Sequence, residues 1–466
     1  MSSKGDDGYF TVTVTKKEVV AAVLPVQEHW LPLSNLDLLL PPLDVGVFLC
    51  YKKPETASFG SMVSVLKKAM AQVLVSYYGF GGEVVSNPLG ESELLCNNRG
   101  VDFFEGFADI ELKDLDLYNP DHSVEGKLVP KKKDGVLAIQ ATELKCGGIV
   151  VGCTFDHRIA DAYSTNMFLV SWAETAQSKP ISILPSFRRS LLNPRRPIRC
   201  IDTSMDDLYV PISSFISPEE PELNNDDHDR IVSRIYYVKA EELTNLQYIA
   251  SSSGFKCTKL ESFSAFLWQL IAKYANKSNP SNGKVKMSKI GIIVDGRSKL
   301  NDTKMGRYFG NVLSIPYHSE RIDELVNHNL SSMADIVHDF LKKAVTKEHF
   351  LGLIDWVEAN RPVKCVAKVY ANGKDDGPAF VVSSGQRFPV CKVDFGWGKP
   401  IFGSYHFPWG GNAGYIMPMP SPLENGDWIL YMHLFRKQLE FLETEASNFF
   451  KPFKLDYVEQ KFKLDS

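Results

Sequence analysis

The sequence predicts an α/β protein built as two domains. Three observations lead there. The chain has 466 residues, 44% of them hydrophobic, which is enough for more than one core. Strand patterns of period two and helix patterns of three to four alternate through both halves. Between the halves, from about Pro185 to Arg230, the pattern gives way to prolines, arginines and acidic residues, the composition of a crossover.

Each element follows from local chemistry. Thr11-Val12-Thr13-Val14 alternates as a half-buried strand does. Met62, Leu66, Ala69, Val73 and Tyr77 recur on one face, so a helix is expected over Met62–Tyr78, stopped by Gly79. Lys131-Lys132-Lys133-Asp134-Gly135 reads as a turn with solvated lysines, and a strand follows over Val136–Gln140. A second β-rich run, Gly147–Phe155, leads into His157, and a helix is expected over Ala162–Gln177. In the crossover, Arg188, Arg189, Arg195, Arg196 and Arg199 precede Pro218-Glu219-Glu220-Pro221 and Asn224-Asn225-Asp226-Asp227. These charges read as solvation, with the arginines also able to meet anionic groups at an interface. Beyond it, Ile231–Val238 and Ile290–Val294 read as strands, and Leu260–Ala275 as an amphipathic helix.

The bulk numbers exclude several classes. A net charge of −4 with 23% charged residues and no basic face argues against nucleic acid as a partner. Leu36–Cys50 is apolar but interrupted by Asp37, Pro41, Pro42 and Asp44, so no membrane span is expected. The polar, acidic start Met1–Asp7 reads as neither a secretory nor a mitochondrial leader. The eight cysteines include no Cys-x-x-Cys pair and are expected to be buried thiols in a cytoplasmic protein.

The chemistry concentrates at His157-Arg158-Ile159-Ala160-Asp161. It sits on a strand-to-helix connection, a place where functional side chains are presented. An imidazole can take a proton near neutral pH. Asp161 admits three roles. It is four residues from His157, so it could orient the ring. It stands where the helix should start, so it could be an N-cap. The third role comes from a resemblance described next. A hydrolase elbow of the Gly-x-Ser-x-Gly type is missing. His157 and Asp161 have no third ligand at sensible spacing, so no metal site is expected.

The first motif, together with Asp394-Phe395-Gly396-Trp397-Gly398, resembles the BAHD acyl-CoA-dependent acyltransferases of plants. Further matches are Leu33-Ser34-Asn35-Leu36-Asp37, Leu95–Val101, Asp295-Gly296-Arg297 and Tyr308-Phe309-Gly310-Asn311. The resemblance implies two similar-sized, chloramphenicol acetyltransferase-like domains with mixed sheets flanked by helices and a channel between them. It places residues 1–185 and about 394–412 in the first domain, 186–230 in the crossover, and 231–393 with about 413–466 in the second. It implies that His157 is the general base and that Asp161 pairs with Arg297. Asp394, Gly396, Trp397 and Gly398 would be structural. Two departures are visible: Ala162 stands where the family has Gly, and Tyr78–Glu83 departs from the usual run.

The implied co-substrate is an acyl-CoA, with Thr258, Lys259 and Ser383 placed near it by position and no tightly bound cofactor. Ser34, Tyr370 and Gly385 fall at the acceptor pocket. Relatives acting on shikimate carry an Arg and a Trp where this chain has Tyr370 and Gly385. Tyr370 and Gly385 are expected to leave room and apolar surface but no fixed cation. A neutral alcohol is favoured, and the N-terminal segments look most like the coniferyl alcohol acetyltransferase branch, which makes acetyl-CoA the expected donor. A backbone N–H at Gly385 or the Ser383 hydroxyl would meet the oxyanion. A monomer without membrane partners is expected. The competing readings are a hydroxycinnamoyl-CoA O-transferase, an amine N-acyltransferase and a catalytically silent binding protein on the same fold.

Overall fold

The computed structural model describes residues 10–198, 203–214, 230–251, 256–278, 286–300, 303–371, 376–385 and 387–459. Arg199, Cys200 and the 218–227 acidic stretch lie outside them.

Two sheets organise the chain. The first has six strands in the order Val12–Val20, Val101–Ala108, Leu137–Leu144, Ile149–Asp156, Asp44–Tyr51 and Phe402–His406. Only Val101–Ala108 and Leu137–Leu144 run parallel; the other neighbours are antiparallel. The late strand Phe402–His406 therefore returns to the early sheet. The helices Phe59–Ser76 and Ala162–Ala176 pack on one another, tied by the Trp172 indole donating to the Leu66 carbonyl at 3.0 Å. Both bury an apolar stripe, Met62 to Leu74 and Met167 to Trp172, in the same core.

The second sheet has seven strands: Tyr317–Arg321, Met287–Ile292, Ala379–Val382, Gly414–Pro420, Trp428–Phe435, Ile231–Val238 and Lys451–Pro452. It is also mixed, parallel through its Met287, Ala379 and Gly414 strands. The Lys259–Ser278 and Leu330–Ala344 helices contribute their apolar faces to its core.

Differences from the sequence reading have physical causes. The first helix spans Phe59–Ser76, because Ser58 caps it by accepting from the Ser61 N–H at 3.3 Å. It ends in a tight turn over Tyr78–Gly81, where a Cβ on Gly79 would lie 2.7 Å from the Phe187 ring. The strand expected over Ile290–Val294 breaks at Ile293, whose N–H turns to the Val382 carbonyl at 2.9 Å. The described crossover is docked onto the second domain: Tyr209–Pro211 pairs with Cys365–Ala367. Arg195 binds Asp355 at 2.6 Å, and Arg189 donates to the Phe309 carbonyl at 2.6 Å.

Lys132 is not solvated as expected. Its ammonium lies 3.1 Å from Asp44 with the side chain 10% exposed. Of the described cysteines, Cys146 is exposed and Cys391 partly so, against the expectation of burial; the rest are buried. All are free thiols. Among the described residues no helix is long and apolar enough to cross a membrane.

Candidate active site

The Ile149–Asp156 strand is buried along its whole length, and it hands the chain to a turn that begins at His157. Three hydrogen bonds hold that turn. The His157 N–H donates to the Leu43 carbonyl at 2.8 Å. The Asn311 side-chain amide donates to the His157 carbonyl at 2.9 Å and the Arg158 carbonyl at 3.3 Å. The imidazole is half-buried between Phe155 and Phe407, each ring centroid 6.2 Å away. Its Nδ1 is enclosed without a hydrogen-bond partner. Arg158 folds back onto Asp156, with Nε 2.9 Å and Nη2 2.6 Å from the carboxylate.

Two clefts adjoin this turn and share Pro42 and Arg158. One is lined by Leu43, Asp44, Lys132, Asp156, Phe407 and Trp409. The other is lined by Leu33, Asp37, Leu39, Glu91 and Arg361. His157 lines neither. Its neighbours Leu43, Asp156, Arg158 and Phe407 do, so the imidazole stands beside these clefts.

Asp161 does not orient the imidazole. It is 1% exposed, and four donors fill its carboxylate. Oδ1 accepts from the Ser164 N–H at 2.9 Å, which makes Asp161 the N-cap of the Ala162–Ala176 helix. Arg297 adds a two-pronged contact, Nη1 to Oδ2 at 2.7 Å and Nη2 to Oδ1 at 3.1 Å. The Val312 N–H completes the set at 3.2 Å. Two of the three sequence readings thus hold together in one carboxylate. Arg297 also donates to the Gly310 carbonyl at 2.8 Å and lies over the Tyr163 ring at 4.4 Å. Burial opposes its charge, but Asp161 and Asp295 outweigh that and raise its pKa. The helix starts at Ala162 without distortion by the departure from Gly.

The Asp394 loop closes on itself. Asp394 Oδ1 accepts from the N–H groups of Gly396 at 2.8 Å and Gly398 at 3.0 Å. Both glycines have left-handed φ, +108° and +112°, which explains their residue type. Trp397 packs against Tyr51 and Phe395, and Gln177 holds the Asp394 carbonyl.

The other sequence-chosen positions are dispersed. Thr258 and Glu261 cap the Lys259–Ser278 helix reciprocally, at 2.7 and 3.2 Å. Lys259 opens that helix. Ser383 is buried beside Tyr415, whose ring meets Phe407 at 5.1 Å, and Phe407 in turn meets His157. Tyr370 packs edge-on against Trp409 at 4.8 Å, and burial raises its hydroxyl pKa. Gly385 does not leave room. A Cβ there would lie 2.8 Å from Met419 Cγ, 2.9 Å from Met417 Cγ and 3.0 Å from the Pro418 carbonyl. The apolar surface is present, but these side chains already occupy the space.

Ser34 has a clear task. Its N–H and hydroxyl donate to Asp37 Oδ2 at 2.9 and 2.7 Å. Asp37 is fully buried, and its Oδ1 accepts from Asn311 N and Nδ2 at 2.7 and 2.9 Å. Asn311 then holds the His157 carbonyl, so the N-terminal motif is bonded through to the His157 turn. Sequence reasoning quoted both motifs but gave Asp37 and Asn311 no part in the site.

Comparisons with known proteins show the family and the fold. The model of a family described as the Transferase family matches residues 10–449. An omega-hydroxypalmitate O-feruloyl transferase of Arabidopsis thaliana is 28% identical over 79% of this chain and 78% of its own. A putrescine hydroxycinnamoyltransferase of Oryza sativa subsp. japonica is 24% identical over 90% and 94%. An F. graminearum protein solved with coenzyme A and T-2 mycotoxin shares the fold, with a TM-score of 0.72 at 15% identity over 90% of this chain and 98% of that one. The chain belongs to the Transferase family of BAHD acyltransferases, enzymes that take an acyl group from acyl-CoA.

Proposed function

We propose that this enzyme transfers an acetyl group from acetyl-CoA to the hydroxyl of a neutral phenylpropanoid alcohol such as coniferyl alcohol, with His157 as general base. The observation that carries the mechanism is the fixed imidazole. Its backbone is anchored on both sides, and Nδ1 is enclosed, which leaves Nε2 for an incoming hydroxyl. As the alcohol oxygen attacks the thioester carbonyl, its proton passes to Nε2. The tetrahedral intermediate then expels the CoA thiolate, which takes that proton back.

Charge pairing beside the imidazole supports a neutral acceptor. Arg158 is bound to Asp156 and Lys132 to Asp44, so neither offers a fixed cation to a carboxylate. Phe407, Trp409 and Tyr370 give an aromatic surface for a ring. We assign the coenzyme to the side of the Lys259–Ser278 helix. Its N-terminus and Lys259 suit phosphate groups, with Thr258 at the cap. Ser383, linked to Phe407 through Tyr415, is assigned to the thioester end. We place the enzyme in the cytoplasm, which the free thiols among the described residues suit, and take it to act as a monomer.

The test is product analysis by mass spectrometry with the purified enzyme, a panel of acyl-CoAs, and alcohols against amines. Acetylated coniferyl alcohol as the main product supports the reading; an amide as the main product overturns it.

A further inference from the structure

A second cluster lies next to the proposed site and is not used by the acyl transfer. We propose that Asp121, Glu125 and His406 form a divalent-cation site of the zinc class. His406 is 2% exposed, and neither of its ring nitrogens has a hydrogen-bond partner. Buried polar groups are almost always partnered, and an unpartnered one is destabilising. The Glu125 carboxylate faces it, but its Oε2 is 3.9 Å from Nε2, beyond hydrogen-bond reach.

Asp121 shows the same deficit. Its Oδ2 accepts from the Ser233 N–H at 2.6 Å, while Oδ1 is enclosed and has no partner. One ligand atom from each of Asp121, Glu125 and His406 lies within 4.8 Å of the others. An imidazole nitrogen with two carboxylate oxygens is a donor set that zinc accepts, and Ser233 orients the aspartate from behind as outer partners of metal ligands do.

The geometry can close. Ligand atoms about 2.0–2.2 Å from zinc stand roughly 3.4 Å apart, so the cluster must contract by about an ångström. Glu125 can supply that movement, because its side chain is 45% exposed. It lies two residues past the helical turn Pro120–Ser123 that carries Asp121, and its carboxylate still converges with the Asp121 carboxylate and the His406 ring to within 4.8 Å.

Bound there, the cation would join that turn to the end of the Phe402–His406 strand. Through Asp121 and Ser233 it would also reach the second sheet. Its effect on the active site would be indirect. Phe407 follows His406 and packs on His157, so the metal would steady one wall of the imidazole without entering the chemistry. Spacing gave no hint of this, since His406 is remote in sequence from the two carboxylates.

The test uses the full-length enzyme, stripped with EDTA and dialysed. Zinc titrated by calorimetry should bind at one equivalent and raise Tm by a few degrees. Cobalt(II) in its place should give visible d–d bands without a thiolate charge-transfer band. Glu125→Gln and His406→Gln should each weaken zinc affinity at least tenfold. Glu125 is exposed, so its variant keeps the test decisive if His406→Gln does not fold. Absence of stoichiometric binding, unchanged affinity in Glu125→Gln, or a cobalt spectrum dominated by thiolate would overturn the proposal.

Discussion

Arg297 grips Asp161 with both terminal nitrogens, at 2.7 and 3.1 Å, and in doing so joins the helix after the His157 turn to the segment that follows the second sheet's Met287 strand. Both side chains are buried. Removing one partner of a buried ion pair leaves an uncompensated charge and costs about 3–5 kcal/mol. Arg297→Ala and Asp161→Asn should each lower Tm strongly, and the double variant should lose much less than the sum. A double-mutant cycle on thermal or urea unfolding measures this. Additive effects would mean that the two groups do not depend on one another.

His157→Ala should retain the fold, because the bonds that hold the turn are made by its backbone and survive the change. Affinity for acetyl-CoA, measured by calorimetry, should be unchanged. The expected loss is in kcat, on the order of 10³. Full activity in this variant would falsify the general-base role.

Asn311→Ala separates positioning from chemistry. The change removes the donor to the His157 carbonyl and one of the donors to buried Asp37, and leaves the imidazole itself in place. Destabilisation by about 1–3 kcal/mol is expected from the under-bonded carboxylate. A fall in kcat with little change in the KM for acetyl-CoA should accompany it. If kcat per folded molecule equals that of the parent, Asn311 supports the fold without aiming His157.

Glu91 offers a pH test. Arg361 binds it through both nitrogens at 2.7 Å, and this pairing holds the Glu91 carboxyl below its usual range. A carboxyl whose pKa is depressed on folding contributes stability that is complete above its unfolded pKa. That contribution is lost as pH falls through the depressed folded value. The parent should therefore lose this increment below about pH 4.3, the ordinary glutamate value. Glu91→Gln should be less stable at pH 7 and show a flatter decline on acidification. Equal acid slopes for the two proteins in urea unfolding would show that the pair does not contribute.

What could be read from sequence, and what could not, follows from the range of each interaction. Asp161 and Arg297 each sit in a short motif that the family resemblance covers, and it was the resemblance that allowed the pair to be named before any coordinates. The Ala162–Ala176 helix was legible because its cap and apolar spacing are local. Asp37 and Asn311 are 274 residues apart, and neither reveals its part until the fold brings them together. Gly385 misled for a related reason. A missing side chain looks like space in sequence, but the volume belongs to Met417 and Met419 on a neighbouring segment. Lys132 looked solvated because its partner, Asp44, lies on a strand remote from it in sequence.

Substrate choice is the prediction with most at risk. Coniferyl alcohol should give the highest kcat/KM among acceptors, for two reasons. Its ring can lie against Phe407, Trp409 and Tyr370, and burying aromatic surface gives about 25 cal/mol per Å². A carboxylate such as that of shikimate finds Arg158 already bound to Asp156, so entering would mean forgoing water without gaining a free guanidinium. Putrescine meets the opposite difficulty, since it must lose a proton before its nitrogen can attack and the site gives its second cation no unpaired carboxylate at Asp44 or Asp156. Direct competition between the three, with acetyl-CoA held constant, ranks them. Preference for shikimate or putrescine would overturn the acceptor assignment. Faster turnover with a hydroxycinnamoyl-CoA would overturn acetyl as the donor group while leaving His157 its role, because the proton transfer at Nε2 is the same whichever acyl group the thioester carries.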